Sequence, residues 1–223
     1  HPLLERVRAR IEYRDQSEVA TAPRIAILPG SRPSEIRYHG PILKETIRRL
    51  KKYYPAAVFR VPVASTLVKQ SVKDAVGVEW VEYGKGHETL RWADMALVSS
   101  GTATLETALI GTPFCLFYRV SASSAWVFKN VVRYREFIGM PNLLLKKEAV
   151  REFFQKAANP GELVRESVRM IEGPDYREQM TGDLRRCRHL LGASGASLRA
   201  ALQVNRLIPG QERTQALAAR ITV

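Results

Sequence analysis

From residue 24 onward, short apolar runs alternate with longer amphipathic stretches, the pattern of strand–helix–strand units that build a parallel sheet. The runs RIAIL (24–28), AVFRVPV (57–63), VEWVEY (78–83), ALVSS (96–100) and PFCLFYR (113–119) are the expected strands. The clearest helical period runs from Ser34 to Tyr54, where Ile36, Ile42, Leu43, Ile47 and Leu50 share a face and Pro55 ends the pattern. HETLRWAD (87–94) and TATLETALIG (102–111) read as shorter helices, the second stopped by Gly111 and Pro113. Further helices are expected at 124–137, 148–157, 161–172, 175–191 and 195–205. No internal repeat or low-complexity linker interrupts this order. The expected fold class is α/β, a Rossmann-like doubly wound parallel sheet over 23–160, preceded by a connecting segment (1–22) and followed by a helical tail (161–223). In a sheet of order 3-2-1-4-5 the first and fourth strands are neighbours, and ligands bind in the crevice beyond their carboxyl ends. The loops after those strands, PGSRPSE and SGTATLE, would then lie side by side.

With 223 residues the chain can bury about 70% of its unfolded surface, so a core needs no disulfide staples. Its two cysteines, Cys115 and Cys187, suit a reducing compartment, with cytoplasm as the expectation. No run approaches the roughly 20 apolar residues of a membrane-spanning helix. The start HPLLERVRAR has no signal pattern and no initiator Met, which predicts a chain that begins inside a larger one. The excess of 35 Lys+Arg over 22 Asp+Glu, +13 overall, favours polyanionic partners without choosing among them. IRRLKKYY, LLLKKEAVR and LRRCRHLL place their cations at helical spacing, as solvated helix faces do. No zinc-finger, RNP-like or KH-type signature accompanies them, so nucleic acid is not an expected partner.

In LPGSRPSEI, Gly30 permits a turn closed to other residues, Ser31 can accept from backbone N–H groups, and Arg32 offers five donors at a helix mouth. That set suits a phosphate clamp, although neither a Walker A loop nor a GxGxxG fingerprint is present. It equally suits a plain turn capped by Ser34 with Arg32 in solvent. In SSGTATLE, Ser100, Gly101 and Thr102 open a helix whose unpaired N–H groups would face a phosphate, and Glu106 could accept both hydroxyls of a ribose diol. The plainer alternative has Thr102 or Thr104 as the cap and Glu106 complementing the helix dipole. Together the loops suggest a site for a nucleoside diphosphate leaving group, stabilised by N–H dipoles and a guanidinium. His1, His39, His87 and His189 are scattered, and no acidic pair has metal-ligand spacing, so neither metal nor other cofactor is expected.

LPGSRPSEI, SSGTATLETALIGTP, FYRVS and MPNLLLKKEAVREFFQ, in this order and spacing, resemble the lipid-A-disaccharide synthase family over essentially the whole chain, but only that family's C-terminal half. The resemblance implies an inverting GT-B hexosyltransferase that moves 2,3-diacylglucosamine from UDP-2,3-diacylglucosamine to 2,3-diacylglucosamine 1-phosphate. It implies that Arg32, Ser100, Gly101, Thr102, Glu106, Asn142 and Gln155 contact UDP, with Arg32 stabilising the departing diphosphate. Without it, Pro141–Asn142 reads as a turn, and Glu152 and Gln155 as a surface helix. Ser99 stands where the family pattern has Ala, and Arg151 where it has Pro. The family's catalytic base is an Asp of the N-terminal domain, so no catalytic residue is expected here and the chain alone should bind donor without turnover. The implied partners are the UDP-sugar donor, an acylated glucosamine phosphate acceptor, the N-terminal half and a second copy exchanging C-terminal helices. The implied location is the cytoplasmic face of the inner membrane of a Gram-negative-type bacterium, whose anionic surface would attract the basic excess.

Two other classes stay open on sequence alone. Another GT-B enzyme of UDP-sugars, such as a UDP-N-acetylglucosamine epimerase or the peptidoglycan N-acetylglucosamine transferase, would share fold and nucleotide but differ at LPGSR and SGTATLE. A non-enzymatic basic adaptor for RNA or membrane would bind polyanions in a salt-sensitive way that UDP does not affect.

Overall fold

All five expected apolar runs become strands of one parallel sheet, because buried central strands need continuous rather than alternating hydrophobicity. The computed structural model describes residues 22–121, 137–192 and 195–206. Along the chain come β1 (Arg24–Leu28), α1 (Pro33–Tyr53), β2 (Val58–Val63), α2 (Lys69–Val76), β3 (Val81–Tyr83), α3 (Gly86–Trp92), β4 (Met95–Ser99), α4 (Thr102–Ile110) and β5 (Phe114–Tyr118). They are followed by α5 (Met140–Leu145), β6 (Glu152–Phe154), a 3-10 turn (Gln155–Ala157), α6 (Pro160–Glu172), α7 (Pro174–Leu190) and α8 (Ala196–Arg206). The sheet order is β3-β2-β1-β4-β5-β6, the doubly wound arrangement expected, with one further strand.

Ile25, Ile27, Met95, Leu97, Phe114 and Phe117 from the three central strands are fully buried. A side chain of this kind contributes about 1.5–3 kcal/mol by leaving water. Asp94 locks the start of β1 to the start of β4. Its carboxylate accepts the Arg24 backbone N–H at 2.8 Å and the Arg24 guanidinium at 2.8 Å. In α1 the predicted stripe of Ile36, Ile42, Leu43, Ile47 and Leu50 is buried. It packs on α2 and α6, and α6 also lies against β4 and β5. The partners of α4 are α3, α5 and α7. α1 and α4 therefore flank opposite faces, as the right-handed crossovers running outward from β1 and β4 require.

Three readings change. The helix expected at 148–157 is instead β6 and a 3-10 turn: Phe153 is buried, Phe154 stacks on Tyr118 with centroids 6.5 Å apart, and pairing with β5 overrides the helical pattern. α2 went unread because only Val72 and Val76 of its residues are buried, too few to mark a period. α5 was masked by its Pro141, which starts a helix as readily as it makes a turn. The helix expected at 124–137 falls outside the described residues except for Phe137, which is not helical. The boundary drawn at 160 does not separate two packing units, since α6 and α7 both cover the sheet domain. α8 stays largely exposed, with Leu198 and Val204 open to solvent. Among the described residues no helix is long and apolar enough to cross a membrane.

Candidate functional site

β1 and β4 pair directly, Leu28 against Val98, and the chain direction reverses outward from them. The turns holding Gly30–Arg32 and Ser100–Thr102 thus leave the same edge from adjacent strands, the position where doubly wound sheets bind ligands. Arg32 opens α1 on one face of the sheet, while Glu106 lies along α4 on the other.

The first turn is built around an acid, Glu35. Glu35 reaches back and accepts the N–H groups of Ser31 at 2.7 Å and Arg32 at 3.1 Å. The acceptor at this turn is therefore Glu35, not the Ser31 hydroxyl, and the residue at the helix cap is Arg32, not Ser34. Gly30 is required, because its φ of +123° favours glycine and a Cβ there would stand 2.7 Å from the Glu35 Cβ. The Ser31 carbonyl accepts the Thr66 hydroxyl at 2.9 Å, which brings the β2–α2 connection against this turn. The Arg32 side chain is exposed and, among the described residues, pairs with no acid. Its five donors remain for an anion arriving from outside.

His39 fastens this turn from below. Its buried ring donates from Nδ1 to the Pro29 carbonyl at 2.7 Å and accepts the Arg119 N–H at Nε2, 3.1 Å away, tying β1's exit to β5's exit. Accepting at Nε2 needs the neutral ring, while the Arg119 carbonyl lies 3.2 Å from the same nitrogen. Burial is the main influence holding its pKa below the usual histidine value, against smaller pulls from the Pro29 carbonyl, Glu35 and the Arg119 carbonyl. With a depressed folded pKa, the unfolded chain protonates first as pH falls. The stabilisation is therefore full above about pH 6.5 and is lost on acidification below it, with a slope of at most ~1.4 kcal/mol per pH unit. Urea unfolding between pH 7.5 and 5.5 should show this decline, and His39→Asn should flatten it. A level wild-type profile would refute the neutral-ring assignment.

The second turn is arranged differently. The Ser100 N–H continues the sheet ladder to the Phe117 carbonyl at 3.1 Å, and Gly101 takes the cap position of α4 with φ of 153°. Neither threonine caps the helix. Thr104 donates its hydroxyl to the Gly101 carbonyl at 2.7 Å, and among the described residues no side chain accepts the first N–H groups of α4. The first turn of α4 also holds no acidic residue, and no atom of the described residues lies within 4 Å of where a Gly101 Cβ would project. The amides of Thr102 and Ala103, with the positive end of the helix dipole, therefore open on the sheet edge. Farther along α4, the Glu106 carboxylate lies 3.5 Å from His87 Nε2, and both side chains are about one-quarter exposed. Glu106 therefore has His87 as a specific neighbour on α3.

The third group holds the edge beyond β5. Asn142 is fully buried: its Oδ1 accepts from Ala149 and Val150 N–H at 2.8 and 2.9 Å, and its Nδ2 donates to the Val150 carbonyl and to Glu152 at 2.7 Å each. Glu152 also accepts from Ile138 and Gly139 N–H at 2.7 and 2.9 Å. These contacts use the whole Asn142 amide, so any direct contact with a ligand would require breaking them. Its observed work is to hold the α5–β6 connection. Gln155 sits at the exit of β6 with φ of +52°, uncommon for a residue with a side chain, and its amide reaches the Val120 carbonyl at 3.4 Å. Strain of this kind often accompanies function.

Among the described residues no group of three potential ligands could hold a metal. A polar hollow of about 270 Å³, lined by Glu148, Arg151, Arg169, Tyr176 and Asp183 among others, lies where β6 begins, away from the switch-point edge. Its acids are already paired, Glu148 with Arg151 and Asp183 with Lys147.

The lipid-A-disaccharide synthetase family, by its sequence model, matches residues 1–203. The chain is 35% identical over 222 residues to a lipid-A-disaccharide synthase of Syntrophus aciditrophicus, covering 93% of this chain and 56% of that protein. With a lipid-A-disaccharide synthase of Neisseria meningitidis serogroup C it shares 36% identity over 188 residues, covering 81% and 49%. The chain thus spans about half the length of the curated relatives it matches. Among solved structures, the calicheamicin glycosyltransferase CalG4 superposes with a TM-score of 0.49 at 18% identity, over 84% of this chain and 45% of that one. The family match over residues 1–203, with relatives at 35% and 36% identity, shows that the chain belongs to the lipid-A-disaccharide synthetase family.

Proposed function

We propose that this chain is the donor-binding part of a lipid-A-disaccharide synthase, gripping UDP while 2,3-diacylglucosamine passes from UDP-2,3-diacylglucosamine to 2,3-diacylglucosamine 1-phosphate. The observation that carries this reading is the uncapped N-terminus of α4 beside the turn of Arg32, where two strands diverge. Because Glu35 already fills the amides of the first turn, the diphosphate is met by the Arg32 guanidinium and by the Thr102 and Ala103 amides. Negative charge grows on the leaving diphosphate as the sugar bond breaks, and fixed dipoles plus a guanidinium oppose it without reorganising. Glu106 accepts the ribose hydroxyls, and Gln155 approaches from the exit of β6. Asn142 acts indirectly, by holding Glu152 and the connection before β6.

The base that activates the acceptor hydroxyl belongs to the rest of the enzyme, since this chain corresponds to about half of its relatives. The reaction needs no metal under this reading. The excess of cations attracts the chain to an anionic bilayer face, where both acylated sugars reside.

Calorimetric titration with UDP tests the site. Arg32→Ala should weaken binding at least tenfold, about 1.4 kcal/mol or more, as expected when a charge-assisted contact to phosphate is removed. Glu106→Ala should weaken it about as much. Absence of UDP binding by the intact chain, or unchanged affinity in both variants, would count against the site.

A further inference from the structure

We infer that His87 is a positioning residue for Glu106, and that the pair makes the nucleotide site selective for an intact ribose diol. This rests on the nucleotide reading above and goes beyond it by assigning a role to a residue that supplies no contact to phosphate. His87 is the second residue of α3, which packs on α4, and its Nε2 stands 3.5 Å from Glu106 Oε2. Glu106 is the one ionisable residue of α4. The neighbouring charges on this side are otherwise engaged: Lys85 pairs with Glu88 at 3.0 Å, and among the described residues no other cation lies within ion-pair distance of Glu106. Both side chains keep about a quarter of their surface, enough for a ligand to reach the carboxylate.

The chemistry follows from the acceptor count. An ionised carboxylate offers about four lone-pair positions. With His87 Nε2 3.5 Å from Oε2, Oε1 and the outer side of Oε2 remain for two hydroxyl donors, the number a cis-diol presents. Glutamate is rich in rotamers, so a group that orders it before binding removes an entropic cost from the ligand's side. Without His87 the carboxylate would spread over several orientations, and the second hydroxyl would lose most of its advantage.

The test uses UDP and 2′-deoxy-UDP as probes in calorimetric titrations of the full chain. Wild type should prefer UDP by about tenfold, the scale of one hydrogen bond to a charged acceptor. His87→Ala should bring that preference below about threefold while leaving the 2′-deoxy-UDP affinity within about threefold of wild type, which also certifies a folded site; Glu106→Gln, which alters the acceptor itself, should weaken both probes. His87→Gln, which keeps a donor at similar reach, should restore most of the preference. If wild type discriminates and His87→Ala discriminates equally well, the inference fails and the nucleotide reading stands. Equal wild-type affinity for the two probes removes Glu106 from the diol and overturns the inference alone, whereas no binding of either overturns the nucleotide reading with it.

Discussion

Asn142→Ala should lower the unfolding free energy by about 3–5 kcal/mol, read as a fall in the urea midpoint with an unchanged slope. The size follows from what the truncation strands. Two buried N–H groups, of Ala149 and Val150, lose their acceptor, and the Val150 carbonyl and Glu152 each lose a donor. Each unpaired buried group costs about 1–3 kcal/mol, and water entering the vacated space recovers only part. Asn142→Asp keeps the acceptor oxygen but places a second carboxylate against Glu152, so it should fare little better. A loss below about 1 kcal/mol for the alanine variant would mean that the α5–β6 connection refolds around the change, and that the amide is not its organising centre.

Gly30→Ala is expected to cost about 3 kcal/mol and to weaken UDP binding together with it. Two penalties combine. The backbone at φ +123° is closed to alanine, and the new Cβ would stand 2.7 Å from the Glu35 Cβ, which cannot swing aside as the carboxylate can. Displacing Glu35 frees the Ser31 and Arg32 amides and lets the start of α1, with Arg32 at its cap, shift. Glu35→Gln keeps the shape and one acceptor, and should cost only about 1 kcal/mol. Thermal unfolding and UDP titration of both variants separate the backbone penalty from the lost carboxylate. Equal stability of Gly30→Ala and wild type would refute the strained turn.

The sheet was legible because parallel central strands announce themselves as unbroken apolar runs, and β4 and β5 are buried along nearly their whole length. β6 was not, because three residues carry no period: EFF becomes a strand only when β5 supplies the partner. At the site, Gly30, Arg32, Gly101 and Glu106 could be picked out from turn chemistry and order alone. The residues that hold them could not. Glu35 carried a faint signal, an acid three positions after the cap as in a capping box, yet the cap is an arginine and the pattern was passed over. His39 and His87 looked scattered because their partners lie 80 and 19 positions away in the chain. Asn142 was visible by family likeness, but its complete hydrogen bonding is a fact of tertiary placement.

The conformation of Gly101 also settles which residues can stand at the mouth of α4. Serine, threonine, aspartate and asparagine, the usual partners of a helix's first amides, all need a negative φ there, whereas Gly101 holds 153°. Among the described residues, no side chain of the chain itself caps that end of the helix. Under the proposed function a bound anion takes those amides, and their satisfaction is then a property of the complex rather than of the fold.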